Sequence, residues 1–379
     1  RPPRSTLSSS SAASDVYKRQ EFALSEEQEI LSESLKKMLE ENISIDSLRK
    51  HSKGDKSLRE KIRRSINDMG LPGLMIPEEF GGSGLGVLEA SLVAEQFGSY
   101  AVPSPWIGNS VMAPKALLFA KDKDLANKWL PLIASGEITA CVSLAESIGK
   151  RPNLGLIKTN NKVSGTSIFG IDGELSPRII ITVLEDDLIL IDTENNDVEI
   201  IEIPTIDTTR PVVEIIFNSS SYEIIPGGKL AIQKTIDVGR IALAADLLGA
   251  SQNMINKAVE YSLERKQFER VIGSFQAVKH MCAEMVAKLE PCRSLIWYAA
   301  YSQDFIEDEA RLLSCHAKAH LSEVGQDIAR VSTQVFGGMG FTDLLGMHYW
   351  FKRIGLSRQI LGGPEKVRQE AALIQGFQS

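Results

Sequence analysis

An arginine interrupts what would otherwise be an apolar helical stripe. Over residues 259–276 the chain reads V-E-Y-S-L-E-R-K-Q-F-E-R-V-I-G-S-F-Q. Ala258, Tyr261, Arg265 and Phe268 recur at spacings of three and four, one side of a 3.6-residue helix, and the pattern breaks at Gly273. A guanidinium is a planar fork that can bond two phosphate oxygens at once, as a lysine cannot; pairing with a nearby acid on the same helix is its other use. A second run, T-Q-V-F-G-G-M-G-F-T over 333–342, follows a long helical stretch. Paired glycines there either cap the helix or let another group approach the backbone closely. His316 and His320 stand at the i, i+4 spacing that can clamp a metal. No H-E-x-x-H accompanies them, and Ala317 and Ala319 set them among packing residues, so no metal site is expected. The five histidines also lie outside any nucleophile-elbow pattern, which leaves no Ser-His-Asp arrangement to argue.

The elements that must position these residues follow from periodicity. From Leu24 the sequence is helical, with Leu31, Leu35, Met38 and Leu39 on one face, and Ser25 followed by Gln28 fits a capping box. Further helices are predicted over 58–69, 87–98, 110–120 and 123–134, punctuated by Leu71-Pro72-Gly73 and Gly81-Gly82-Ser83-Gly84. Near Ala140 the texture changes to short β-branched runs at 163–170, 178–183, 187–192 and 198–203. The helical period returns over 231–267, 275–302, 307–336 and 363–376. The expected fold is therefore α+β and multidomain: an N-terminal helical domain (21–139), a middle β-barrel or sandwich (140–228) and a C-terminal four-helix-bundle domain (229–379). Residues 1–20 are Ser- and Arg-rich with one acid, Asp15, and no apolar core. They exclude a secretory signal and read as a leader outside the fold, disordered or non-native, since the amphipathic period of an organelle transit peptide is missing.

Composition narrows the function. A chain of 379 residues exceeds one core, and its net charge of −7 argues against nucleic acid as the principal partner. Cys141, Cys282, Cys292 and Cys315 form no C-x-x-C pair, which suits reduced thiols in a cytoplasmic setting, with a mitochondrial matrix less favoured. No apolar run reaches the roughly 18 residues needed to cross a bilayer.

The arrangement Y-x-x-x-R-x-Q-F, then I-G-x-F-Q, resembles the acyl-CoA dehydrogenase family, as do G-L-P-G-L-M-I-P-E-E-F-G-G-S-G-L-G (70–86), A-V-P-S-P-W (101–106) and the glycine run at 337–340. The resemblance covers residues 21–379. It implies a flavoprotein in which Arg265, Gln267, Phe268, Phe275 and Gln276 hold the diphosphate end of FAD, and Gln334, Gly337 and Gly338 its adenosine half. Both groups would reach across a subunit interface to a neighbour's flavin. The implied reaction is α,β-dehydrogenation of an acyl-CoA in fatty acid or sterol side-chain catabolism. Electrons would pass to an electron-transfer flavoprotein, and the chain would sit in a homo- or hetero-oligomer, a dimer or tetramer.

The match weakens where the chain's own flavin ring would lie. For the family's G-x-K-x-W-I-T-N-G this chain has G-T-S-I-F-G-I-D-G (165–173), with Phe169 at the Trp position and Ile171 at the Thr position. Phe can stack, but Ile cannot donate a hydrogen bond. C-V-S-L-A-E-S-I-G-K (141–150) keeps Glu146 but lacks the family's G-S-D. The two positions where the family carries its catalytic Glu fall on Gly362 and Gly239, leaving Glu365 on the next helix as the substitute candidate. Three functions stay open: a subunit completing the FAD site of a sister chain, a homo-oligomeric dehydrogenase with an unrecognised base, and a flavin-free structural or acyl-CoA-binding relative. Glu269 replaces the glycine that usually follows Q-F, and a carboxylate near a diphosphate would repel it, which adds weight to the third.

Overall fold

The computed structural model describes residues 23–377 except 150, 153 and 175; the expected leader, 1–20, lies outside the described residues. The chain begins with helices α1 (Glu26–Asn42), α2 (Ile45–Ser52), α3 (Ser57–Asp68), α4 (Val87–Ser99), α5 (Ala113–Phe119) and α6 (Lys123–Ala134). The capping box is present at the start of α1: Gln28 N donates to Ser25 Oγ at 3.3 Å and Ser25 N to Gln28 Oε1 at 2.9 Å. Leu35 and Leu39 are fully buried, with Leu31 and Met38 packed beside them. Before α5 the backbone widens into a π-helical turn, Ile107–Met112, whose Gly108 and Asn109 amides donate to the buried Asp172 carboxylate at 2.6 and 3.0 Å.

Eight strands follow: β1 (Ala140–Ser143), then, after the short helix α7 (Ala145–Ile148), β2 (Gly155–Thr159), β3 (Lys162–Ile171), β4 (Ile179–Leu184), β5 (Asp187–Asp192), β6 (Val198–Ile203), β7 (Val212–Ser221) and β8 (Glu223–Ile225). They form one sheet in the order β6-β7-β3-β1-β4-β5-β8, with β2 added to β3. Only the β1–β4 pair is parallel, Val142 lying opposite Ile181. The sheet curls, for β5 touches β7 although three strands lie between them. Inside the curl Val163, Ile180, Ile189, Val213 and Phe217 make a separate core. The four strands expected from sequence are all present; β1, β2, β7 and β8 were not anticipated. β2 is short and mostly exposed, while β7 shows the alternation it should in V-V-E-I-I-F.

The third part is led by α8 (Gly228–Glu264), a 37-residue helix buried on all sides through its middle. It lies between α4, α9 (Gln276–Phe305), α10 (Glu307–Phe336) and α11 (Met347–Gln359), with α12 (Pro364–Ile374) against α10. The crossing of α4 and α8 is close: a Cβ at Gly249 would come within 1.8 Å of Glu95 O, and one at Gly98 within 2.0 Å of Asp246 O. One buried cluster ties the parts together. Asp246 of α8 accepts from Arg353 Nη2 of α11 at 2.7 Å and from Arg210 Nη2, just before β7, at 2.6 Å. Both guanidiniums are buried, so the pairs are desolvated and removing one partner would leave a charge uncompensated.

Candidate functional site

Arg265 is not on a helical stripe. α8 stops at Glu264, three residues before the expected end, and Arg265 leaves it in extended conformation. Lys266–Gln267 then pairs with Arg270–Val271 as a small hairpin, β9 and β10. Phe268 and Glu269 at its tip have φ of 54° and 63°, as in a mirror-image turn. Ile272 N closes the loop on Arg265 O at 2.8 Å. The hairpin is fully displayed: Arg265, Gln267 and Arg270 are exposed, and Phe268 is 86% exposed. Among the described residues no ion pair engages Arg265, so the intrahelical acid pair does not form. Phe275 braces the hairpin, edge to face with Phe268 at 6.2 Å and with the Arg270 guanidinium 3.9 Å over its ring. α9 opens directly after it at Gln276 with no side-chain cap on its first amides, an arrangement that favours an anion.

The glycine run lies beside this hairpin. Tyr261 near the end of α8 stacks on Phe336 at the end of α10, ring centroids 4.4 Å apart. Gly337 follows with φ 59°, and a Cβ on either Gly337 or Gly338 would meet nothing within 4 Å. Packing within the chain therefore does not require glycine at 338. Gln334 is exposed on the same end of α10. Arg265, Gln267, Phe268, Gln276, Gln334, Gly337 and Gly338 are thus all exposed, with Phe275 half-buried beneath the hairpin.

The inward residues gather elsewhere. A cavity of 530 Å³ is walled by Leu144, Phe169, Arg151, Leu356 and the segment Gln359–Gly363. Phe169 sits at a bulge in the β3–β7 pairing with φ 55°, and the Arg151 guanidinium lies 4.9 Å over its ring. Ile171 does not face this cavity. It is 1% exposed, paired with Val142 and Val212, and belongs to the core, because the bulge changes which side of the strand faces inward.

Gly239 has no room for an acid, and Gly362 has a backbone that strains any side chain. A Cβ at Gly239 would stand 2.6 Å from Leu361 Cδ1 and 2.7 Å from Met112 Sδ. Gly362 has φ +102°, and its Cβ would meet Val367 Cγ2 at 3.1 Å and Arg240 Nη2 at 3.4 Å. The substitute, Glu365, points to solvent. Its side chain is 75% exposed and pairs with Arg358 at 2.9 Å, and its own backbone amide and Arg358 hold its carboxyl below the usual range, the opposite of a base in a dry site.

A larger cavity of 990 Å³ adjoins the first and shares Ile148, Gly149, Arg151 and Lys366 with it. Asp237 of α8 lines it at 1% exposure; Ser314 Oγ donates to its Oδ1 at 2.8 Å, and its Oδ2 has no partner. Burial pushes this carboxyl up to about 6. Arg311 of α10 lines the same cavity with its Nε unpartnered. Glu146 is there too, raised by burial, with one carboxylate oxygen unpartnered. Arg240, 2% exposed, donates its Nη1 and Nη2 to Glu370 at 2.7 and 3.1 Å and its Nε to Leu361 O at 3.0 Å. Sequence reasoning passed over Asp237 and Arg311. The signal for Asp237 was available, an acid three residues before an arginine inside the mostly apolar run T-I-D-V-G-R-I-A-L-A-A.

Comparison with known proteins shows the family. The family model for the acyl-CoA dehydrogenase N-terminal domain matches residues 25–137, and that for the C-terminal domain residues 227–374. Acyl-CoA dehydrogenase IpdE2 of Mycolicibacterium smegmatis is 26% identical over 347 residues, 90% of this chain and 97% of its own length. Acryloyl-CoA reductase (NADH) of Anaerotignum propionicum is 25% identical over 355 residues, 86% of this chain and 88% of its own. Among solved structures, the ChsE4–ChsE5 complex of Mycobacterium tuberculosis superposes with a TM-score of 0.85 at 20% identity, covering 95% of this chain and 100% of that one. At that identity the likeness is one of fold. With both terminal models matched in order on either side of the sheet, this chain belongs to the acyl-CoA dehydrogenase family of oxidoreductases.

Proposed function

We propose that this chain serves the FAD-linked α,β-dehydrogenation of an acyl-CoA thioester as a subunit that completes the flavin site of a neighbouring chain. The observation that carries the reading is the division of the site. The residues suited to grasping phosphate are exposed, Arg265 without an ion pair, while the chain's own cavity has glycine at both base positions, crowded at Gly239 and held at φ +102° at Gly362. FAD would supply the acceptor for the hydride leaving the β-carbon. Arg265 suits two diphosphate oxygens, the open backbone at Gly337–Gly338 suits a close approach, and Gln334 adds a neutral donor. Removal of the α-proton needs a positioned carboxylate, which under this reading belongs to the sister chain.

The larger cavity supports binding of the thioester itself. Asp237 Oδ2 is an acceptor without a donor, and Arg311 Nε is a donor without an acceptor. An amide carries both complements, and the pantetheine arm of coenzyme A is built of amides. Unsatisfied buried groups are costly, so a ligand that satisfies both gains what the empty cavity forgoes. An electron-transfer flavoprotein as acceptor, a hetero-oligomer with a sister chain and a cytoplasmic setting belong to the same reading. The first two are supported by a relative that is a subunit of the caffeyl-CoA reductase–Etf complex of Acetobacterium woodii and by the likeness in fold to the ChsE4–ChsE5 complex, the third by the bacterial relatives.

Arg265→Ala tests the grip. Loss of its charge-assisted bonds removes roughly 1.5–3 kcal/mol, about ten- to a hundredfold in flavin affinity, without unfolding the chain, since the residue packs against nothing buried. Gln334→Ala is expected to cost less, a neutral bond being lost. Full flavin occupancy in assembled Arg265→Ala protein would sink the assignment.

A further inference from the structure

Lys318, in the first half of α10, is fully buried, yet no carboxylate among the described residues pairs with it. Its ammonium donates to Ser357 O at 2.6 Å, to Arg358 O at 3.0 Å and to Ser322 Oγ at 3.4 Å. The charged groups nearest to it are Arg240, Arg358 and Arg210, cations that disfavour its charge. A lysine in this setting is costly, and a leucine or methionine would fill the space more cheaply. What it supplies is donors, and they go to the last turn of α11, where a helix leaves carbonyl oxygens without partners of its own.

The chain beyond that turn needs holding. Leu361 and Gly362 both adopt left-handed backbone, φ 57° and 102°, and for a bulky residue such as leucine that conformation persists only where its surroundings impose it. Arg240 of α8 secures the far side by donating to Leu361 O at 3.0 Å. The stretch from Ser357 to Leu361 is therefore pinned at both ends by basic side chains whose N–H groups donate to main-chain oxygens, each from a different helix. Between the pins lie Gln359 and Ile360, which with Leu361 and Gly362 wall the 530 Å³ cavity.

We propose that Lys318 is a positioning residue for this cavity: by capping α11 it fixes the exit of the chain, keeps Leu361 left-handed and sets the shape of the wall at 359–362. What the cavity receives rests on the functional reading above; the wall's dependence on Lys318 does not.

Hydrogen exchange of the full chain, read by mass spectrometry without added flavin, separates the two questions. In Lys318→Met the peptide covering 359–363 is expected to exchange at least tenfold faster than in the unmodified chain, while the middle of α8 stays within about twofold. Acceleration spread evenly over α8 and α10, or none at 359–363, would make Lys318 a general core residue and overturn the proposal. Should Lys318→Met not fold, Lys318→Gln keeps a donor and is read instead: selective acceleration of 359–363 by about threefold is expected, and an even or absent change overturns it. A chain that binds no flavin bears on the reading of function and leaves this result unaffected.

Discussion

Asp237 carries a chemical tension: it is buried beside a cavity, bonded by the Ser314 hydroxyl, with the Gln233 amide close enough to help hold its charge. Burial raises its carboxyl from 3.8 to about 6, so between those values the folded chain holds a proton that the unfolded chain has released. The contribution of Asp237 to stability therefore falls as pH rises through that window. A shift of about two units is worth about 3 kcal/mol at most. Asp237→Asn cannot ionise, so it should flatten the fall and leave the protein more stable at pH 7 while weakening acyl-CoA binding about tenfold. Urea titrations of both proteins at pH 4 and pH 7 check this, and equal slopes in the two would refute it. Asp172 and Glu174 are also raised by burial and titrate in both proteins alike, so the difference between the two isolates Asp237. At this scale the sequence was partly legible. Arg265 stood out because charge on an apolar stripe is rare, but the stripe itself was an accident of spacing. The turn that ends it uses Phe268 and Glu269, which lack the Asn-Gly signature by which mirror-image turns are read. Ile171 could be assigned a face only with knowledge of the bulge before it.

Among the elements, the close approach of α8, the turn at Ile107–Met112 and the segment after α11 decides what the cavity can hold. Gly239→Glu would push a carboxylate against Met112 and Leu361, both buried, and overpacking alone costs roughly 1–3 kcal/mol before the charge is counted. Gly362→Glu meets a different obstacle. Its φ of +102° strains any side chain by about 1–3 kcal/mol, though Arg240 nearby would favour the charge. Both variants should melt at lower temperature than the unmodified chain, Gly239→Glu by more, and neither should give the isolated chain dehydrogenase activity. An active, undiminished single variant would show that only the carboxylate was missing. Helices with a clean period and a cap, such as α1, were readable residue by residue. α2 and α11 were not delimited, the first because it is only eight residues long, the second because its buried face, Tyr349, Trp350 and Arg353, mixes aromatic and charged groups.

For the whole molecule, the two groups of residues proposed to serve a flavin are an exposed set and a cavity-lining set. The hairpin at Arg265 and the glycine turn at 337–338 lie on the exposed face, and Phe268 at 86% exposure is an unlikely solvent-facing side chain unless another surface covers it. The cavity walled by Phe169 and Gly362 faces inward and lacks a base position. A homo-oligomer would then join good diphosphate grips to poor ring pockets and should purify pale. Co-expression with a sister chain that carries the family's glutamate should yield a yellow hetero-oligomer with about one FAD per pair of chains, because each working site needs one ring pocket and one grip. The same logic ties colour to the hairpin: Phe268→Ser in this chain should weaken the assembly and its flavin together, while Phe268→Ser in a sister chain, whose grip serves the poorer pocket, should change colour little. Absorbance at the flavin band after size-exclusion chromatography reads both outcomes. A strongly yellow homo-oligomer with one FAD per chain would show that the pocket around Phe169 holds the ring unaided, and the chain would then have to be read as an ordinary dehydrogenase whose base lies outside Gly239, Gly362 and Glu365.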